Sequence, residues 1–269
     1  MVVFPNCKIN LGLHIRRKRT DGYHDLETIF YPVQQKDILE VIPSSQFSFR
    51  QEGIAVEGEA NDNLCVKAFH LLKKDFPDLP NVEMFLYKTI PTGAGLGGGS
   101  ADGAFALQLL NDKFHLGLTQ DQLCQYALIL GSDCPFFIWN KPVFAESRGE
   151  KMQEVNIDLT GFYILMVNPG IHVSTGAAFQ ALNLHDIDSH FQKIVSIPVE
   201  DWKDHLYNDF EKVVFPQYPE IENLKRLLYD NGAIYASMSG TGSTCFGIFK
   251  ERPDLDFLPN QYFKAQFSL

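Results

Sequence analysis

Cysteine is scarce and poorly arranged for cross-linking. The chain carries 5 in 269 residues, at Cys7, Cys65, Cys124, Cys134 and Cys245. Their number is odd and none forms a CxxC pair. That excludes a disulfide framework and a structural zinc site, and it fits a reducing cytosol, so a cytoplasmic location is expected. No apolar run approaches the roughly 18 residues that a membrane helix needs. The opening MVVFPNCKINLG lacks a basic stretch followed by an apolar run and a cleavage site, so no signal peptide is expected. Positive charge is also short. The formal net charge is −10, whereas nucleic-acid binders usually present a basic surface. Neither a nucleic acid nor a membrane is therefore an expected partner. An anionic ligand would need a local positive device instead of a global field. There are no internal repeats or low-complexity tracts, and no feature sets an oligomeric state.

What is present reads as a globular chain, with 45% hydrophobic and 21% charged residues. The first third reads as strands. CKINLGLHI puts Ile9, Leu11, Leu13 and Ile15 on one face and Lys8, Asn10, Gly12 and His14 on the other. The polar RRKRTDG is a turn, and YHDLETIFYPV returns as a second strand. VEMFLYKTI (Val82–Ile90) is another, stopped by Pro91. SADGAFALQLLNDKF reads as a helix with Ala106, Leu109, Leu110 and Phe114 on one stripe. LTQDQLCQYALIL is the next helix, with Thr119 as N-cap and Gly131 past its end.

From about Gly161 the pattern restarts. GFYILMVNPG is a buried strand and turn, and STGAAFQALNL begins a helix at Ser174. PEIENLKRLLYDNG is an amphipathic helix with proline at its start and Gly232 at its end. IYASMSGTGSTCFGIF reads as strand, glycine turn, strand. Without strict βαβ alternation, the expected class is α+β in two lobes, 1–155 and 156–269, divided in the polar RGEKMQEVNIDLTG. The aromatic tail from about 258 is a candidate to pack back on the first lobe.

Five of the seven residues from Gly93 to Gly99 are glycine, far more than a turn needs. Three chemistries compete for this stretch. A Walker A loop fails, because no lysine precedes Ser100. A dinucleotide fingerprint matches literally at Gly93, Gly95 and Gly98, but it needs a parallel strand after the helix, and a second helix follows instead. The third is a phosphate cradle of another type. Backbone N–H groups converge on an anion there, the helix N-terminus adds partial positive charge, and Ser100 stands at the junction. Gly103, inside the helix, reads as a close-packing site.

PTGAGLGGGSADGA resembles the central ATP-binding motif of the GHMP kinases (galacto-, homoserine, mevalonate and phosphomevalonate kinases). SMSGTGSTCFGIF resembles their third motif. KINLGLH with DGYH, NDNLCVKA, LGSDCPFF, the RGE at 148–150 and IHVSTGAAF are similar to one branch of that family, and these matches fall in order over most of the chain. The resemblance implies a ribosomal S5 domain 2-like N-terminal lobe and a ferredoxin-like C-terminal lobe. It implies an ATP-dependent small-molecule kinase using ATP and Mg²⁺ on a cytidine-diphosphate-linked alcohol.

The family's roles carry over by position. Asp133 matches the catalytic aspartate that accepts the substrate hydroxyl proton, and Lys8 the lysine beside it. Pro91, Thr92, Gly93, Ala94, Gly95, Leu96, Gly97, Gly98, Gly99, Ser100 and Ala101 match the nucleotide loop, and Asn61 and Lys67 the border of the adenine. Asn10, Tyr23, His24, Lys88, Thr175 and Phe179 match positions around the alcohol substrate. Tyr23 and Phe179 are placed to stack on a pyrimidine, and His24 to bond its polar edge. Lys88 either reaches a phosphate or ends a strand. The sequence departs from the family pattern at Ala101, where a second serine is expected, at Thr241, where serine is usual, and in a shortened ESRGE at 146–150. The Mg²⁺ ligands are not assigned. A mevalonate- or homoserine-type kinase, an oxidoreductase and a non-catalytic sensor of phosphorylated ligands are the competing functions.

Overall fold

The computed structural model describes residues 1–55, 58–182 and 197–269. Along the chain run β1 (Val2–Val3), β2 (Asn6–Lys18), β3 (His24–Lys36), β4 (Ile38–Pro43), β5 (Ser48–Gly53), α1 (Leu64–Asp75) and β6 (Val82–Lys88). Then come α2 (Gly98–Phe114), α3 (Gln120–Leu130), α4 (Cys134–Trp139), β7 (Val143–Ser147), β8 (Lys151–Glu154), β9 (Tyr163–Asn168) and α5 (Thr175–Ala181). The last third holds α6 (Trp202–His205), α7 (Glu211–Val214), α8 (Pro219–Asp230), β10 (Tyr235–Met238), β11 (Cys245–Phe249) and β12 (Phe263–Ser268). The end of the expected STGAAFQALNL helix, beyond position 182, lies outside the described residues.

The chain forms two compact units that interleave along the sequence. One comprises Met1–Lys8, Pro32–Thr92 and Gly97–Lys141; the other comprises Ile9–Tyr31, Gly93–Leu96 and Pro142–Leu269.

In the first unit a sheet of order β1-β4-β6-β5 carries β5 parallel to β6 and the other pairs antiparallel. Strand β6 shows why. Val82, Met84 and Leu86 are buried, while Glu83 and Tyr87 are exposed, the period-2 alternation of a half-buried strand. Lys88 falls in the buried register of that alternation. Helices α1 to α4 belong to this unit, with α2 packed on α1, α3 and α4. Gly103 sits where α2 meets its neighbours: a Cβ there would lie 2.8 Å from the Cβ of Leu64 and 3.3 Å from Leu130 Cδ1. Helix α3 starts on a capping box. The Thr119 hydroxyl accepts from the Gln122 amide and the Gln122 side chain accepts from the Thr119 amide, an arrangement worth about 1 kcal/mol.

The second unit contains an antiparallel sheet of order β10-β11-β9-β12. Its core joins Leu165 and Val167 of β9 to Ile221, Leu224 and Leu228 of α8 and to Leu13 and Ile15 of β2. The tail contributes the edge strand of this sheet. Residues Phe263–Ser268 pair with β9 along its whole length. Strand β9 is buried from Ile164 to Asn168, so the N–H and C=O groups on its second edge need a partner, and β12 supplies it. A third sheet, of order β2-β3-β7-β8, carries most of the opening segment. The polar face of β2 is not solvated: Lys8 is 3% exposed and Asn10 1%. No helix among the described residues is long and apolar enough to cross a membrane.

Candidate active site

In the first unit the buried Lys8 ammonium lies 3.7 Å from Oδ2 of Asp133, whose side chain is 38% exposed. Asp133 sits at the N-cap of α4, and the five residues after it, Cys134 to Ile138, are all buried. The apolar CPFFI segment therefore anchors the turn and leaves the carboxylate at the surface. Burial pulls the Lys8 ammonium below the ordinary lysine range, while Asp133 and Cys7 pull it back up. Gly97 closes over this lysine. A Cβ there would lie 3.0 Å from Phe137 Cζ and 3.3 Å from Lys8 Cε, and its φ is +69°.

Helix α2 begins directly after Gly97, so its first N–H groups have no helical acceptor and lie at the positive end of the helix dipole. A Cβ at Gly98 would come within 2.9 Å of Ile90 Cγ2 and 3.4 Å of Lys88 Nζ. A Cβ at Gly99 would meet nothing within 4 Å. Burial pushes the Cys134 thiol up to about 12, and the neighbouring Ser100 hydroxyl opposes that. Ala101 is fully buried. Nothing in the structure explains alanine here in place of the family's serine.

Lys88 ends β6, one of the two alternatives its position in the sequence left open. It is 3% exposed, and its ammonium is bound by Asp37 and, at 2.7 Å, by Asp102. The second Asp37 oxygen accepts from the amides of Thr89 and Ile90 at 2.6 and 2.9 Å. Neither aspartate stood out in the sequence. The in-facing alternation of β6 was the signal for the lysine's burial.

Asn61 and Lys67 are exposed, and Lys67 pairs with Asp62 at 3.1 Å. Neither lines the nearby cleft of about 300 Å³ bordered by Phe49, Gln51, Gly58, Ala60, Asp62 and Asn63. Asn63, which the sequence reading passed over, caps α1 through the Cys65 amide at 2.9 Å and donates to Gln51 at 3.1 Å. Its position just before an apolar helical run was the signal that could have found it.

In the second unit the early part of the glycine stretch meets the SGTGS turn. The Ser239 hydroxyl donates to the Gly95 carbonyl at 2.8 Å, and the Thr244 amide donates to the Ala94 carbonyl at 3.2 Å. A Cβ on Gly95 would lie 1.9 Å from the Ser239 carbonyl oxygen, and its φ is +78°, so only glycine fits. Asn208 fixes the far side of the turn, donating to the carbonyls of Met238 and Gly240, each at 2.7 Å. Asn10 lies beside it: its amide donates to the Ser239 hydroxyl at 3.3 Å and its side chain to Thr28 at 2.9 Å. The Thr175 and Thr241 hydroxyls are 3.0 Å apart.

The aromatic candidates belong to the same unit. His24 and Phe179 are stacked at 4.7 Å with 19° between their planes. Phe179 also meets Phe210 edge-on at 4.8 Å. Burial lowers the His24 imidazole below its ordinary value, with Lys18 adding to it. Tyr23 is 52% exposed, and the Arg148 guanidinium lies 4.5 Å over its ring. Pro91 and Thr92 lead from β6 into the glycine stretch. Helix α3 follows α2 with no strand between them, which removes the dinucleotide-binding arrangement.

The GHMP kinases N terminal domain matches residues 63–141, and the GHMP kinases C terminal domain matches 192–268. The chain belongs to the GHMP kinases. It has the GHMP kinase fold and is an ATP-dependent small-molecule kinase. This GHMP kinase is 52% identical over 253 residues to the 4-diphosphocytidyl-2-C-methyl-D-erythritol kinase of Bacteroides fragilis, covering 93% of this chain and 92% of that one. It is 48% identical over 269 residues to the kinase of that name from Bacteroides thetaiotaomicron, covering 97% and 98%. A solved 4-(cytidine 5'-diphospho)-2C-methyl-D-erythritol kinase superposes with a TM-score of 0.79 at 29% identity, over 92% of this chain and 89% of that one. The mevalonate kinase of Methanococcus jannaschii superposes at 0.72 with 11% identity, over 99% and 97%, a likeness of fold alone.

Proposed function

We propose that this GHMP kinase transfers the γ-phosphoryl group of ATP to the 2-hydroxyl of 4-diphosphocytidyl-2-C-methyl-D-erythritol, a step in making isoprenoid precursors without mevalonate. The observation that carries the chemistry is the Lys8–Asp133 pair, with its lysine buried and its carboxylate partly open. The substrate rests on relatives of that name at 48 and 52% identity over nearly the whole chain. The stacked His24 and Phe179 and the exposed ring of Tyr23 suit a pyrimidine.

Phosphoryl transfer is mostly positioning and charge stabilisation through a loose transition state. In this reading Asp133 accepts the proton of the substrate hydroxyl while the new O–P bond forms and ADP leaves. Lys8 holds the carboxylate and balances its charge. The N–H groups at the start of α2 and the residues from Pro91 to Ala101 receive the phosphates, and the cleft beside Asn63 receives the adenine end. Asn10 and Thr175 border the alcohol substrate.

Mg²⁺ fits as the companion of the phosphates. Among the described residues no three His, Cys, Asp or Glu side chains gather to hold a metal alone. Mg²⁺ ordinarily needs only one or two protein ligands beside substrate phosphates. Ser100 is the hydroxyl at hand, and the ion's contribution when bound is to neutralise phosphate charge. A cytoplasmic location and a domain division near 155 belong to the same reading. Phosphorus NMR of the product tests it: the new phosphate is expected on the 2-oxygen, and phosphate on any other oxygen overturns the reading.

A further inference from the structure

Among the described residues, Lys88, Asp37 and Asp102 form a cluster of charged side chains more completely buried than the Lys8–Asp133 pair. Their side chains are 2%, 0% and 3% exposed. The cluster's attachments follow a pattern. Asp37, in the connection between β3 and β4, grips the amides of Thr89 and Ile90, the residues just before Pro91. Asp102 lies in the second turn of α2, just after Ser100. Lys88 bridges them. Above Lys88 and Ile90 sits Gly98, whose missing side chain lets α2 begin directly on them. The brace thus ties the residues that lead into the nucleotide loop to the helix that leads out of it.

A merely structural ion pair would be expected to be fully satisfied, because unpaired buried charge is costly. This one is not: Oδ1 of Asp102 is buried without a hydrogen-bond partner. Two carboxylates share one ammonium in an apolar setting.

We propose that Asp37, Lys88 and Asp102 are positioning residues for nucleotide binding, setting the seat of the phosphates by fixing both ends of the glycine loop without touching the nucleotide. This rests on the reading that the loop holds ATP. Lys88 is thereby reassigned from a substrate ligand to an internal strut. The proton balance supports the arrangement. Burial raises the Asp102 carboxyl, Lys88 opposes that, and Asp37 adds to it. Two titratable neighbours, Cys65 beside the cluster and Cys7 near Asp37, are held in their thiol forms by burial. With a proton on Asp102 the cluster carries no net charge and keeps its bridge.

The test compares Asp102→Asn, which keeps shape and an acceptor for Lys88, with Asp102→Ala, which removes the strut. Calorimetry with ADP on the full-length protein gives nucleotide affinity directly, and steady-state kinetics gives KM for ATP, KM for the cytidyl alcohol and kcat. Expected for Asp102→Ala is a loss of about tenfold in ADP affinity and an equal rise in KM for ATP, corresponding to about 1.4 kcal/mol. KM for the alcohol is expected to hold within about twofold, and Asp102→Asn to restore nucleotide affinity. If Asp102→Ala unfolds, Lys88→Met combined with Asp102→Leu and Asp37→Asn removes all three charges and keeps an acceptor for the Thr89 and Ile90 amides. It is expected to show the same selective loss of ADP affinity. An alanine or leucine variant that is less stable yet binds ADP as the wild type does would overturn the proposal, as would failure of Asp102→Asn to rescue. A wild-type protein that binds no ADP would instead overturn the nucleotide reading of the loop.

Discussion

The Lys8 ammonium faces the Asp133 carboxylate across 3.7 Å, with the lysine sealed in and the aspartate open on one side. That asymmetry suits a base that must reach a substrate while its partner stays fixed. Asp133→Asn keeps the shape of the side chain and removes its basicity. A positioned base contributes roughly 10²–10⁴-fold, so kcat is expected to fall by that factor while ADP still binds in calorimetry. Near-normal turnover would show that Asp133 is not the base.

Two glycines in one loop should differ in what their replacement does to stability. Gly95→Ala would drive a Cβ to 1.9 Å from the Ser239 carbonyl at a φ of +78°. The loop must then leave the SGTGS turn, and both melting temperature and nucleotide binding should drop. Gly99→Ala meets nothing within 4 Å, and alanine in a helix is favoured over glycine by about 1 kcal/mol. The expected outcome is a protein at least as stable as the wild type that, on the proposed phosphate seat at the start of α2, binds ADP more weakly. Unchanged ADP affinity would move the phosphate seat elsewhere.

Phe179 is stacked on His24 and set edge-on against Phe210. Replacing it with leucine keeps apolar volume and removes the aromatic face. Stacking on an aromatic is worth roughly 1–3 kcal/mol per base, so KM for the cytidyl substrate should rise roughly 5- to 150-fold with KM for ATP unaltered. Equal effects on both would argue for general loosening of the unit.

Asp102 makes stability depend on pH. Burial raises its carboxyl from 3.8 to about 8. Between those values the folded protein holds a proton that the unfolded chain has released. Its favourable contribution is complete below about pH 4 and is lost as pH climbs to about 8, at up to about 1.4 kcal/mol per pH unit. Urea unfolding across that window should show the wild type losing stability relative to Asp102→Asn. Parallel curves would mean that Asp102 is already ionised.

Much of this was legible before any coordinates. The alternation of VEMFLYK, the Thr119 cap and proline at the start of α8 are local signals, and local physics produced those elements. Lys88 shows where local reading stops. Its partners Asp37 and Asp102 are 51 and 14 residues away in sequence, so nothing short-range announces them. The ties from Gly95 and Asn10 to Ser239 span 144 and 229 residues; a glycine turn was visible at each end, but not the bond between them. The pairing of the tail with β9 joins residues about 100 apart in sequence, so no local signal announced it.

The central claim is most directly tested by ADP release from ATP and Mg²⁺ in the presence of the cytidyl alcohol, mevalonate, homoserine or galactose in turn. Turnover with the cytidyl compound alone is the expected result. Turnover with one of the other three alcohols, or none with the cytidyl compound, would contradict it.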